Sequence, residues 1–300
     1  MSGEGRMTGY ADTLPAAAVA VRPINYRKVG YLALVYLLLM VAAIVILFPI
    51  FWMVSSSLKP QTEMFARHMT ILPIQWSLEN YINVWLNTDF PTYFLNSAKV
   101  AVITTVCSVL ISMYAAYAIA RIRFRGRYAF GLMLLVTQMF PHIMLVVPLF
   151  LIIQRVGLFN THTALIIAYT AFSLPFSIWM LRGFFEAIPR ELEDAAAIDG
   201  ASQLGTFHRI ILPLAGPGIA AIAMFTFIRA WNEFLFALVF LQSRTLRTLP
   251  LGLASFQEEY TYRWDLMLAG GSIIAVPVLF FFLLMQRFIV QGLIGGAVKG

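Results

Sequence analysis

Residues 191–213 read ELEDAAAIDGASQLGTFHRIILP, a polar interruption between two long apolar runs. The stretch is too charged to cross a bilayer and too well patterned to be a slack loop. Pro189 suits a first helical turn, and Glu191, Glu193 and Asp194 follow where a helix N-terminus favours negative charge. Ala195, Ala196 and Ala197 are compact helix formers. Gly200 stands where a left-handed residue would end that helix. Ser202 then caps a second helix, whose apolar positions Leu204, Phe207, Ile210 and Ile211 fall on one face. Pro213 is expected to break the pattern before the next apolar run. The sequence therefore predicts an amphipathic helix–turn–helix presented at a membrane surface.

The membrane itself follows from composition. Of 300 residues 60% are hydrophobic and only 12% are charged, with a mean hydropathy of +0.81. A soluble domain averages about 45–50% apolar and about 25% charged residues, so the class is an all-α integral membrane protein. Six apolar segments, approximately 31–54, 100–120, 129–153, 163–181, 215–241 and 266–286, can each cross the hydrocarbon as a helix of about 20 residues. All but the fifth lack Asp, Glu, Lys and Arg; the fifth contains Arg229 and Glu233. Pro49, Pro141, Pro148, Pro175 and Pro277 fall inside spans, where kinks are expected.

Basic residues set the orientation. Arg6, Arg22, Arg27 and Lys28 lie in the N-terminal tail, and Arg121, Arg123, Arg125 and Arg127 are packed into the second-to-third connection. Arg182, Arg190 and Arg209 fall in the fourth-to-fifth connection, and Arg287 and Lys299 near the end. The other side holds Lys59, Arg67, Arg155, Arg244, Arg247 and Arg263. Both termini and the 191–213 stretch are thus expected in the cytoplasm. The net charge of +7 belongs to topology, and no aromatic platform for nucleic acid accompanies it. Residues 1–28 are read as a cytoplasmic tail and 29–300 as one transmembrane domain, with a loop at 190–213 and a tail at 287–300.

A family resemblance rests on several strings. Asp194-Ala195-Ala196, Gly200 and Ile210-x-Leu212-Pro213 resemble the EAA signature of the permease subunits of bacterial ABC importers. Asp194 departs from the usual Glu but keeps the charge. AAAIDGAS with its closing LP, WNEF at 231–234 and GGAVKG at the end are similar to the carbohydrate branch, the maltose-transporter type. The resemblance covers roughly residues 31–300 and implies a type I importer permease fold with six spans and a cytoplasmic coupling helix. It implies ATPase coupling through Glu193, Asp194, Ala195, Ala196, Asp199, Gly200, Ala201, Leu204, Phe207, Leu212 and Pro213. It also implies a homologous second permease, two ATPase subunits carrying ATP and Mg, and an extracytoplasmic solute-binding protein, in the bacterial inner membrane. The tail residues Gly295, Gly296 and Lys299 are expected toward the ATPase.

Within the fifth span, FIRAWNEFLFAL at 227–238 is the main polar cluster. Charges inside a span are costly and normally face a protein interior or wet cavity. Arg229 and Glu233 are spaced to pair along one helix face, while Trp231 and Asn232 have the chemistry to stack on a sugar ring and bond a hydroxyl. These four residues either line the substrate path or pack two permeases together. In the loop TLPLGLASFQEEYTYRW at 248–264, the string LPLGLASF is similar to the maltose-type loop that faces the binding protein. The resemblance implies that Leu251, Gly252, Phe256, Glu258 and Tyr260 meet that protein; the alternative is an ordinary exposed loop. His142 is read as bonding a carbonyl opened by Pro141, and no histidine spacing suggests a metal site.

The sequence contains no phosphate loop, no nucleophile elbow and no H-E-x-x-H. A motor for ATP-driven transport would be a separate polypeptide, and no cofactor is expected on this chain. Sugars are the expected cargo. Glycerol phosphate esters, amino acids and peptides remain alternatives, as does a secondary transporter, for which Glu233 is the one intramembrane carboxylate.

Overall fold

The computed structural model describes residues 26–66, 68, 70–257 and 263–297. The expected tail up to residue 25, Glu258, Tyr260 and Lys299 lie outside these residues. The chain divides after Ile50 into two units. The first contains most of α1 (Tyr26–Ser57), in which no charge follows Lys28.

In the second unit, the chain beyond α1 folds into a small hydrogen-bonded knot. Its first element is α2 (Gln61–Met64), and α3 (Glu79–Leu86) follows it. Glu63 accepts from the Thr70 hydroxyl at 2.7 Å and from the Ile74 amide at 3.0 Å. The Lys59 ammonium donates to the Thr70 carbonyl, and the Asn80 amide donates to the carbonyls of Ser57 and Lys59. Of the aromatics in this loop, Trp76 and Trp85 are exposed, whereas the Tyr81 hydroxyl bonds Ser57 and Tyr93 is buried.

The bundle is built on α4 (Phe90–Arg121), α7 (His162–Ala187), α11 (Gly216–Trp231) and α14 (Trp264–Ala297). One core gathers Val84, Phe90, Tyr93, Trp231, Phe240 and Leu249. A second gathers Ala116, Ile119, Leu181, Phe185, Phe207, Ile211 and Ile222 at the end that carries residues 191–213. Two glycines allow close approach to aromatic rings. A Cβ on Gly218 would lie 2.5 Å from the Phe184 ring, and one on Gly252 would lie 2.0 Å from the Tyr93 ring.

Among the described residues, four helices are long and apolar enough to span a membrane singly: Gly30–Ser57, α4, α7 and Trp264–Gln286. The count reaches six only if each of two bent pairs is one span. The third expected segment is two helices, α5 (Arg127–Met139) and α6 (His142–Arg155), bent by 100°. Phe140 and Pro141 are both extended between them, because the residue before a proline is pushed out of the helical region. The fifth expected segment is also divided, since α11 stops at Trp231 and α12 (Leu235–Phe240) restarts beyond Glu233.

Candidate functional site: a polar helix–turn–helix and a pocket at a broken span

The stretch 191–213 opens with α8 (Glu191–Ile198), which has three acidic residues in its first turn. Gly200 has φ +80°, and the amides of Gly200 and Ala201 return to the carbonyls of Ala197 and Ala196 at 3.1 and 2.9 Å. This paired closure satisfies the last carbonyls of α8. Ser202 then accepts from the Gly205 amide at 3.1 Å and caps α9 (Gln203–Thr206), as the spacing predicts.

Two expectations are corrected here. Pro213 does not end the helix. A π-type turn, Phe207–Ile211, sends the Leu212 amide back to the Phe207 carbonyl. Pro213 sits in the short α10 (Leu212–Leu214) that continues it, and the break comes at Ala215, with a bend of 74° into α11. Leu204 does not share the buried face of Phe207 and Ile211. It is 64% exposed, because α9 restarts in a new direction after Gly200 and the wide turn shifts the register.

Phe207 is fully buried against the Tyr117 ring, with centroids 4.6 Å apart. Arg121 Nε lies 2.6 Å from Glu193 Oε1, and Arg121 Nη2 donates to the Ile188 carbonyl at 2.7 Å. The Tyr114 hydroxyl meets His208 Nε2 at 3.0 Å. One face of the stretch is therefore fixed to α4 and α7. The other presents Asp194, Ala195, Asp199, Gly200, Ala201 and Leu204, together with Ile198, which is 87% exposed. Ala196 is buried beneath them.

The second site is a pocket of about 90 Å³ at the broken fifth span, lined by His142, Tyr169, Ser173, Arg229, Glu233 and Phe236 among others. The expected Arg229–Glu233 pair is not formed. The helix ends between the two residues, and Glu233 turns to the other side of the break. Its carboxylate accepts from the Tyr169 hydroxyl and from the amides of Phe236, at 2.8 Å, and Ala237, at 3.2 Å. It thus caps α12 and ties it to α7. Asn160, at φ +59°, holds the other end of α12. Its amide donates to the Phe240 carbonyl, and its side-chain oxygen accepts from Gln242 and Ser243.

Trp231 is 1% exposed, stacked on Phe227 and edge-on to Phe94, with its indole donating to the Ile274 carbonyl. Its faces are covered by protein, so it packs the core and does not stack on a ligand in this conformation. The Asn232 amide returns to the Ile228 carbonyl at 2.8 Å. His142 lies against the Phe172 ring, 4.7 Å between centroids, instead of bonding a carbonyl freed by Pro141. Tyr169 was not singled out in the sequence. A tyrosine amid apolar residues carries no signal until the break brings Glu233 to it.

In the loop after α12, the helix α13 (Leu249–Ala254) is tied in by the Leu249 amide donating to Ser97. Leu251 and Gly252 are buried, Gly252 directly on Tyr93, so neither is a surface for a partner in this conformation. Phe256 borders a polar cleft of about 340 Å³ with Asp89, Arg244, Arg247 and Arg263. Gly295 and Gly296 fall within the last turns of α14.

Residues 108–295 match the family described as "Binding-protein-dependent transport system inner membrane component". The chain belongs to that family. It is 40% identical over 266 residues to a probable ABC transporter permease protein, YurM, of Bacillus subtilis, covering 89% of this chain and 88% of that one. It is 40% identical to the trehalose/maltose transport system permease protein MalG of Thermococcus litoralis, covering 86% and 93%. Among solved structures, a bacterial ABC transporter involved in the import of the acidic polysaccharide alginate aligns with a TM-score of 0.75 at 25% identity, covering 88% and 98%. The chain is a multi-pass, all-α permease subunit, and ATP hydrolysis belongs to a separate ABC ATPase. Membership of the family implies a partner permease, ATPase subunits and a solute-binding protein.

Proposed function

We propose that this chain is one of two homologous permeases in a heterodimeric carbohydrate importer of the bacterial cytoplasmic membrane, with both termini cytoplasmic. Two ATPase subunits supply ATP and Mg, and an extracytoplasmic solute-binding protein supplies the sugar. The sugar assignment is supported by the AAAIDGAS and WNEF strings and by relatives named for carbohydrate transport systems.

The observation that carries the coupling role is the two-sided character of residues 191–213. Ile198, Leu204 and Asp194 are exposed, while Phe207, Ile211 and the Glu193–Arg121 pair are anchored in the bundle. An ATPase groove that grips the outer face moves the inner face with it, because the sharp turn at Gly200 and the cap at Ser202 leave little slack. The motion passes to α4 through Arg121 and to α11 through Ile211. It also passes along α7 to Tyr169, whose hydroxyl holds Glu233 at the pocket. Moving a two-state equilibrium from 1:99 to 99:1 takes about 5.5 kcal/mol of differential binding, a scale that an apolar and polar docking face can supply.

On the opposite side, Phe256, Glu258 and Tyr260 are the remaining contacts proposed for the binding protein, and Gly295, Gly296 and Lys299 those for the ATPase. Affinity purification of this chain from its native membrane tests the assignment. An ATP-hydrolysing chain and a second permease are expected to accompany it. A chain that imports sugar alone overturns it.

A further inference from the structure

Glu233 and Arg229 both line the pocket, but they differ in what the protein already offers them. Three protein donors converge on the Glu233 carboxylate, from Tyr169, Phe236 and Ala237. The Arg229 guanidinium meets no acceptor among the described residues, and its neighbour is the Phe225 ring at 5.5 Å. A guanidinium carries five donors in a planar fork and stays charged, so within a span it calls for an acceptor-rich partner.

Two more groups converge on the same cavity from different helices. Ser173 on α7 is 5% exposed, and His142 stands at the start of α6; neither side chain makes a hydrogen bond to a described residue. Phe172, stacked on Phe236 at 5.0 Å, supplies an aromatic wall beside them. The pocket thus offers a fixed cation, two further polar groups and an apolar face, while its one carboxylate is engaged by the protein.

We propose that Arg229 makes this pocket a subsite for an oxyanion on the cargo, so that the imported saccharide is acidic, bearing a carboxylate or an equivalent anionic group. This rests on the reading of the chain as a carbohydrate permease and deepens it. A carboxylate of the second permease is the competing partner for the guanidinium. The concave arrangement, lined from α6, α7, α11 and α12, favours a small ligand, because a subunit bridge would need the cation and no converging groups around it.

The test uses the whole detergent-purified complex, with glucuronate and glucose as matched probes followed by thermal shift and ligand-observed NMR. Glucuronate is expected to bind and stabilise the complex at millimolar concentration, and glucose to do neither. Arg229→Gln should weaken glucuronate roughly tenfold or more, as expected for loss of a charge-assisted hydrogen bond. Arg229→Lys should retain part of the binding, and Arg247→Gln should change nothing. Equal responses to the two sugars, no response to either, or undiminished glucuronate binding by Arg229→Gln overturns the proposal. So does dissociation of the second permease from the Arg229→Gln complex on gel filtration, which would assign the guanidinium to the subunit interface. If neutral sugar is still imported while these tests fail, the carbohydrate reading stands and only the acidic cargo falls.

Discussion

Arg121 Nε, in the last turn of α4, lies 2.6 Å from Oε1 of Glu193, in the first turn of α8. Both side chains are largely shielded, at 7% and 20% exposure, and the same guanidinium also holds the Ile188 carbonyl. The pair fastens the polar stretch to a membrane-crossing helix, at the point where the proposed push on the stretch would pass into the bundle. Removing one member leaves the other charge shielded and unpaired, at a cost of about 3 kcal/mol. Arg121→Met is therefore expected to lower the melting temperature of the purified complex and to reduce uptake per ATP hydrolysed. Arg121→Met combined with Glu193→Met should recover much of the stability. If the single and double variants match wild type in both measurements, the pair transmits nothing.

Glu233 and Tyr169 make a second link, at the pocket. Tyr169→Phe removes one donor to the carboxylate, and Glu233→Gln removes its charge while keeping its shape; each loss is worth about 1–3 kcal/mol locally. Both are expected to lower sugar uptake several-fold and to speed hydrogen exchange at the Phe236 and Ala237 amides. The ATPase should still co-purify with each variant. Unchanged exchange at those amides would mean that the carboxylate does not cap α12.

Two glycines in helices give opposite expectations. Gly252→Ala drives a methyl to within 2.0 Å of the Tyr93 ring, so α13 must shift, at about 1–3 kcal/mol. Gly183 has nothing within 4 Å of an added Cβ, and Gly183→Ala should be neutral or slightly stabilising. Thermal unfolding of the two purified variants separates the cases, and equal melting temperatures would contradict the close contact.

Glu63 makes the outer knot sensitive to pH. Its pKa lies below the ordinary carboxylate value, first because the Thr70 hydroxyl bonds it and then because the Ile74 amide does. A depressed folded value adds stability that is present above the unfolded pKa and lost as pH falls through the folded one. The Ile74 and Gln75 amides should be protected at neutral pH and lose that protection in strong acid. In Glu63→Gln they should be less protected even at neutral pH, and protection equal to wild type there would remove Glu63 from the knot.

Much of this was legible in the residues themselves. Gly200 and Ser202 were readable because a left-handed closure and an N-cap are local chemistry, complete within a few residues. The apolar runs were readable because hydrocarbon thickness fixes their length. The 100° bend at Phe140–Pro141 was not, since a proline only permits a break and the neighbouring helices decide its angle. The stop at Trp231 and the turning of Glu233 to Tyr169 depend on a partner far along the chain, which hydropathy cannot register. Trp231 looked like a stacking platform because its type suits one, but burial is a property of its neighbours Phe94 and Phe227.

The central claim is that residues 191–213 convert the motion of a separate ATPase into access across the membrane, and the turn at Gly200 is its most exposed point. At φ +80° a β-branched residue is strained by about 1–2 kcal/mol, while the open space around that position means no neighbour is struck. The decisive measurement compares ATP hydrolysis with sugar uptake in proteoliposomes holding the complete transporter, wild type against Gly200→Val. Membrane insertion and ATP hydrolysis are predicted to persist in the variant while uptake falls roughly tenfold, the factor that about 1.4 kcal/mol represents. Wild-type uptake by Gly200→Val would contradict the account.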